Sequence, residues 1–281
     1  MTHYKKRTRE ILMYRLVAIV LVLLVGLMIG CMMMYRKTMQ ELPKLETGEF
    51  IDLTGEPEPE PEDFQTRLEA FAREHHLDLS AWPESVLELP ELNPETDDYV
   101  LHYPLLMGTH PQTDLSDLCS TGSVPLLMQW DERWGYGSYA GEPFGVSGCG
   151  PTCLSMVCLY LRGDASLTPD YIGRFSEENG YSVPGGGSSW TLISQGGVQL
   201  GLDVTEIPLD EQRMIRNLEV GNPIICAMGP GAFTTTGHFI VLTGYENGKF
   251  TVNDPNSRSR SQQLWEYHSF AGDIGNLWVC R

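Results

Sequence analysis

The sequence predicts an α+β fold in which a helix layer carrying a glycine-flanked cysteine packs on an antiparallel sheet, with a transmembrane helix ahead of both. Three observations predict it. Residues 147–161 read Ser-Gly-Cys-Gly-Pro-Thr-Cys-Leu-Ser-Met-Val-Cys-Leu-Tyr-Leu, an apolar run opened by proline and long enough for about three helical turns. Residues 237–255 hold two short apolar runs on either side of Glu246-Asn247-Gly248, the pattern of a β-hairpin. Residues 16–34 are uncharged and almost wholly apolar, enough to cross a bilayer as helix.

The helix over 151–161 has a mechanism behind it. Proline suits a first helical position, where its missing N–H had no partner in any case. Gly148 and Gly150 let the chain turn sharply and keep side chains away from Cys149. The first turn of a helix presents unpaired N–H groups, and that end favours negative charge, so Cys149 stands where a thiolate is stabilised. Leu154, Val157, Cys158 and Leu161 recur at i, i+3, i+4 and i+7, the stripe of a buried face. Cys158 therefore reads as core, with Cys153 at the border of the stripe. Cys149 lies outside it and is the candidate nucleophile.

Composition changes sharply along the chain. Residues 1–40 hold seven basic groups and one acid, Glu10, whereas the other 241 residues hold 12 basic and 36 acidic groups, a net charge of −24. So acidic a body repels nucleic acid and anionic lipid. Residues 1–15 form a basic tail, expected in the cytoplasm because basic residues crowd the N-terminal side of the apolar run. Residues 16–35 are then expected to be an uncleaved signal anchor in contact with the lipid bilayer. On this reading the chain is a single-pass protein of the cell membrane with its remaining residues outside the cytoplasm. No Ala-x-Ala cleavage site follows the run, and Met28-Ile29-Gly30-Cys31 only loosely resembles a lipoprotein lipobox. Residues 36–63 read as an acidic, proline-rich stalk, because Glu56 to Glu62 alternates glutamate with proline and stays extended.

Residues 64–118 read as a small helical extension. Phe64, Leu68 and Phe71 share a helix face, and Asn93-Pro94-Glu95 carries the signals of a helix start. The main domain is expected over 119–281. Thr168 caps a helix reaching about Ser176, and Pro184 to Trp190 is a glycine-rich loop at the rim of a cleft. Val204 to Ile207 forms a strand, and Asp210 caps a helix ended by Gly221-Asn222. Pro223 opens a central strand reaching Met228, Arg258-Ser259-Arg260 is a charged loop, and Leu277 to Cys280 is a short closing strand. No cysteine or histidine spacing is that of a zinc site, so neither metal nor cofactor is expected. Cys149, Cys153 and Cys158 lie too close along one helix to pair, while a bridge from Cys119 to Cys226 or Cys280 stays open.

The hairpin sets His238 at the start of one arm and Asp254 at the end of the other, side by side at its open end. A thiol at a helix start with an imidazole and a carboxylate is the apparatus of nucleophilic catalysis. The thiolate attacks a carbonyl carbon, His238 carries the proton, and Asp254 orients the ring. Gln129 is the candidate oxyanion donor beside the backbone N–H of Cys149. Trp130, Trp134, Gly187 and Trp190 are candidate residues of the substrate cleft.

These same residues carry a family resemblance. Gln129-Trp130-Asp131-x-Arg133-Trp134, Gly148-Cys149-Gly150-Pro151-Thr152, Gly237-His238-Phe239-Ile240-Val241 and Asn253-Asp254-Pro255, in this order, resemble the motifs of peptidase C39-like domains over about residues 122–281. Those domains are papain-like thiol hydrolases common in bacterial cell-surface proteins. The resemblance implies a papain-like cysteine protease fold, with Cys149 as nucleophile, His238 as base, Asp254 as orienting acid and Gln129 as oxyanion residue. It also implies a peptide or cell-wall peptide substrate, and a monomeric catalytic domain is expected. Family members fused to exporters trim double-glycine leader peptides, but no stretch here resembles an ATPase or a bundle of membrane spans. The expected function is a membrane-anchored, extracytoplasmic cysteine hydrolase that cleaves peptide-like amide bonds. Two alternatives stay open: a catalytically silent papain-like module that binds peptide or wall polymer, and a thiol acyltransferase.

Overall fold

Asn247 and Gly248 both adopt positive φ, 52° and 80°, the backbone a two-residue type I′ turn requires. They join the central hairpin of a six-stranded antiparallel sheet. Its strands are β1 (Val204–Glu206), β2 (Ile224–Met228), β3 (His238–Glu246), β4 (Lys249–Asn253), β5 (Leu264–Trp265) and β6 (Ile274–Cys280). Their spatial order is β1-β6-β2-β3-β4-β5. The computed structural model describes residues 63–281, all within one unit, Pro61–Arg281.

Both faces of the sheet are covered, so β2 is apolar at every position and buried throughout. Ile225, Ala227, Phe239, Val241 and Trp278 face one core cluster, and Ile224, Cys226, Ile240, Leu242 and Val279 face another. β6 extends to Ile274 and pairs with both β1 and β2, which makes it an interior strand. The residue pattern alone shows an apolar strand and not its neighbours.

The helices are α1 (Phe64–Glu74), α2 (Glu84–Leu87), α3 (Leu89–Leu92), α4 (Asp97–Leu106), α5 (Phe144–Ser147) and α6 (Cys149–Arg162). They continue with α7 (Pro169–Glu178), α8 (Gly197–Gln199), α9 (Glu211–Glu219) and α10 (Arg258–Ser261). A π-helical stretch, Leu192–Gly196, leads into α8. The apolar stripe of α6, with Leu154, Val157 and Cys158, lies in the first cluster. Met214, Ile215 and Leu218 of α9 lie in the second. α6 starts at Cys149, because the Thr152 N–H already donates to the Gly148 carbonyl at 3.0 Å. Pro151 is therefore its third residue, still in the first turn, where a missing N–H costs no intrahelical bond. The helix closes at Gly163, whose φ of 62° is left-handed.

Helices α1 to α4 form a third cluster with Met128, Trp130 and Tyr136. Tyr99 stacks on Tyr136 at 4.9 Å between ring centroids, and its hydroxyl donates to the Gly135 carbonyl at 2.9 Å. This joins the helical extension to the segment immediately before the Cys149 helix.

One expectation is corrected. The fold of the described residues is mixed α/β, and among them no helix is long and apolar enough to cross a membrane. The longest, α6, has 14 residues, about 21 Å of helix against a hydrocarbon core of about 30 Å. The transmembrane signal anchor expected over 16–35, with the basic tail and stalk around it, lies outside the described residues. The membrane location and the lipid-bilayer contact drawn from it are not carried forward.

Leu154 is fully buried beneath the sheet. Leu154→Ala is expected to lower the free energy of unfolding by about 2–5 kcal/mol in urea denaturation.

Candidate active site

The glycines around Cys149 answer to packing more than to backbone freedom. Gly148 has an ordinary φ of −82°, but a Cβ there would stand 2.3 Å from the Phe144 ring. At Gly150 a Cβ would meet the Ser188 hydroxyl at 2.3 Å. Either side chain would force α6 away from its neighbours. Cys149, between them, is half-buried and opens α6 with its side chain lining a cleft of about 730 Å³.

His238 opens β3 opposite Met228 of β2. Its Nε2 lies 2.8 Å from Asp254 Oδ1, and Cys149 lines the same cleft as the ring. Because Nε2 faces Asp254, the nitrogen left for the thiol is Nδ1. The His238 side chain is 8 % exposed and that of Asp254 is not exposed at all. Burial alone would push the imidazole pKa down. The Asp254 carboxylate outweighs it, by charge and by hydrogen bond, and with the Cys149 contact it raises His238 from its ordinary 6.5 to about 10. Burial likewise opposes charge on Asp254, but His238 and then Arg260 hold it below the usual carboxylate range.

Asp254 is held from three sides. Oδ1 accepts from His238 and from the Asn256 N–H at 2.8 Å, and Oδ2 accepts from Arg260 Nε. Its own N–H donates to Ser261 Oγ at 2.9 Å. Arg260 and Ser261 belong to α10, the stretch that reads in sequence as a charged loop. Ser257 caps it by accepting from the Arg260 N–H. Sequence reasoning missed Arg260, and the signal that could have found it is the Ser257 cap seven residues before a tryptophan-containing strand.

Gln129 is buried beside this turn, its N–H donating to the Pro255 carbonyl at 2.7 Å. Its Nε2 donates to the carbonyls of Gly145 at 2.8 Å and Val146 at 3.1 Å, and Oε1 has no partner. In this arrangement both amide hydrogens are engaged by the chain just before Cys149.

The four cleft candidates divide. Gly187 and Trp190 line the cleft with Cys149 and His238. Trp190 is 50 % exposed, its ring edge against Trp278. Trp134 is wholly buried and donates to the Met128 carbonyl. Trp130 is also buried, donating to the Asn256 carbonyl under the Arg258 guanidinium. Neither Trp130 nor Trp134 lines the cleft. They fix the backbone around Gln129 and the Asp254 turn.

All six described cysteines are unpaired. Burial pushes the Cys153 thiol well up and Cys158 to about 12, and it also raises Cys226 and Cys280. Four of the six are thus core thiols. Among the described residues no group of three or more His, Cys, Asp or Glu could hold a metal ion.

The model of the peptidase C39 like family matches residues 121–279, more than half of the chain. No curated protein matches it. Among solved structures, the peptidase domain of Streptococcus ComA, a bifunctional ABC transporter involved in quorum sensing, is 20 % identical. It covers 47 % of this chain and 89 % of its own, with a TM-score of 0.38. A C39-like peptidase from Bacillus anthracis is 13 % identical over 61 % of this chain and 98 % of its own, with a TM-score of 0.36. A double glycine motif protease from an AMS/PCAT transporter, solved with its leader peptide, is 17 % identical over 57 % and 93 %, with a TM-score of 0.35.

The His238–Asp254 contact has a signed effect on stability. A histidine raised from 6.5 to about 10 contributes fully below pH 6.5, and that contribution is lost as pH rises through about 10. Asp254, lowered from 3.8, contributes above that pH and loses its share as pH falls below it. Melting temperature is expected to decline between pH 6.5 and 10, and Asp254→Asn is expected to flatten that decline. An unchanged slope in the variant would remove the carboxylate as its cause.

Proposed function

The chain belongs to the peptidase C39-like family, and from that premise we propose that it is a cysteine peptidase with Cys149 as nucleophile, His238 as proton carrier and Asp254 as orienting acid. The observation that carries the reading is the contact pattern of one imidazole. His238 meets Asp254 through Nε2 and lines, with Cys149, one open cleft. A thiol beside a carboxylate-backed neutral imidazole can pass its proton to the ring, giving thiolate and imidazolium with no change in the net charge of the cluster, and the thiolate is the reactive form.

Each step then has a residue. The Cys149 thiolate forms a bond to the carbonyl carbon of the scissile amide, and the carbonyl electrons move to oxygen. As the oxyanion collapses, the C–N bond breaks and the His238 imidazolium gives its proton to the leaving nitrogen. The acyl group stays on sulfur as a thioester. Neutral His238 then takes a proton from water, the hydroxyl adds to the thioester carbon, and C–S cleavage returns the thiolate and the imidazolium. The Cys149 backbone N–H and Gln129 Nε2 serve the oxyanion. Gln129 does so by trading its longer bond, to the Val146 carbonyl, for the substrate oxygen.

Cys149→Ser is expected to abolish cleavage of a peptide library with no loss of melting temperature. His238→Ala is expected to slow cleavage by at least about 100-fold. Cleavage by Cys149→Ser at the parent rate rejects the nucleophile. Binding of library peptides without cleavage by the parent supports a silent binding module instead. Amide products with an added amine identify an acyltransferase.

A further inference from the structure

The cleft is not closed by residues 121–279 alone. Ser85, Glu88, Leu89 and Leu92 of the helical extension line a second part of it, next to Gln129 and His238. The same extension reaches behind the catalytic acid. Asn93, buried at the end of α3, donates through Nδ2 to the Asn256 carbonyl, which also accepts from Trp130 Nε1 at 3.1 Å. Asn93 is itself fixed, its Oδ1 accepting from the Glu95 N–H and its carbonyl from the Thr96 hydroxyl.

Glu95, two residues on, sits on the start of α10. Its Oε1 accepts from Ser257 Oγ at 2.8 Å and from the Ser259 N–H at 3.0 Å, and its Oε2 accepts from the Arg258 N–H at 2.9 Å. Burial opposes its charge, but these three donors hold the carboxyl below its ordinary range. A carboxylate here satisfies N–H groups that so short a helix leaves without acceptors. One turn further along α10 stand Arg260 and Ser261, which grip Asp254 at Oδ2 and at its N–H.

We propose that Asn93 and Glu95 are positioning residues for Asp254: the helical extension clamps the 254–261 turn from outside and so keeps the carboxylate against His238. The proposal rests on the reading of Cys149, His238 and Asp254 as the reacting group. It assigns the extension a part in the chemistry, although no side chain of the clamp touches Cys149. Residues 93 and 256 are 163 positions apart in sequence, as are 95 and 258. The contact therefore forms only when the extension is docked, and an undocked extension leaves Asp254 with Arg260 and its own turn. The charged and titratable groups around the pair are Cys149 and Cys153 from α6, Arg260 from α10, and Glu95 behind it.

The test uses the full chain with Glu95→Ala and Asn93→Ala, the second of which changes no charge. Three quantities are read: kcat/KM on a cleaved peptide, melting temperature, and the NMR titration of the His238 imidazole. Each variant is expected to lower kcat/KM about tenfold through kcat and to move His238 deprotonation down by about one pH unit. Glu95→Gln, which keeps the shape and one acceptor oxygen, is expected to recover most of both. An unmoved His238 titration in Asn93→Ala and Glu95→Ala overturns the clamp, whatever happens to rate or melting temperature. So does a shift in Glu95→Ala alone, since it then comes from charge. Cleavage retained in Cys149→Ser defeats the reading of the site instead, and the His238 titration still decides the clamp.

Discussion

A carboxylate with no exposure to solvent is costly unless every side of it is paired, and Asp254 is such a group. Its three donors come from the start of β3, from its own turn and from α10. The Arg260 guanidinium offsets the Asp254 charge, so the Asp254–Arg260 pair is neutral by itself. In the proposed reaction, His238 and Cys149 add one shared proton to that neutral pair. The proton can move from sulfur to nitrogen without changing the net charge of the cluster. The remainder of the architecture serves to bring these four groups together and keep water from two of them.

Three constraints hold that arrangement. The β3–β4 hairpin delivers imidazole and carboxylate to one end: its two-residue turn sets the register, and an irregularity between Leu242 and Gly244 shifts it by one residue before the open end. Helix α6 delivers the thiol, seated by glycines whose missing side chains let Phe144 and Ser188 close in. The sheet, buried on both faces, fixes helix and hairpin relative to each other. One side of the cleft near Cys149 carries no side chains: it is lined by Gly185, Gly186 and Gly187. Trp190 stands half-exposed there, just ahead of a π-helical stretch, a form that often accompanies functional positions.

Local signals translate directly into structure where the chemistry is local. Asn247-Gly248 gives the hairpin, Thr168 and Asp210 cap the helices they precede, and the stripe of α6 faces the core. What stayed unreadable depends on partners distant in sequence. The strand at 274–280 is interior only because β1 and β2 flank it. Trp130 and Trp134 are cleft candidates in the sequence, whereas both side chains turn inward to backbone carbonyls. Arg258-Ser259-Arg260 reads as solvated charge, and only the fold shows that it is a helical turn gripping Asp254. Gln129 lies beside the Asp254 turn, and its amide hydrogens are engaged by Gly145 and Val146, which no residue pattern reveals. The apolar run at 16–35 belongs to the residues the structure does not describe.

The central claim is that His238, backed by Asp254, shares its proton with Cys149 and leaves a reactive thiolate. It is tested most directly by alkylating the folded protein with iodoacetamide at pH 6, where an isolated thiol is almost wholly protonated, and mapping the modified cysteines by mass spectrometry. The account predicts rapid modification of Cys149, none of the buried Cys153, Cys158, Cys226 and Cys280, and loss of the Cys149 reaction in His238→Ala. Modification of Cys149 at the same rate with and without the imidazole would contradict it.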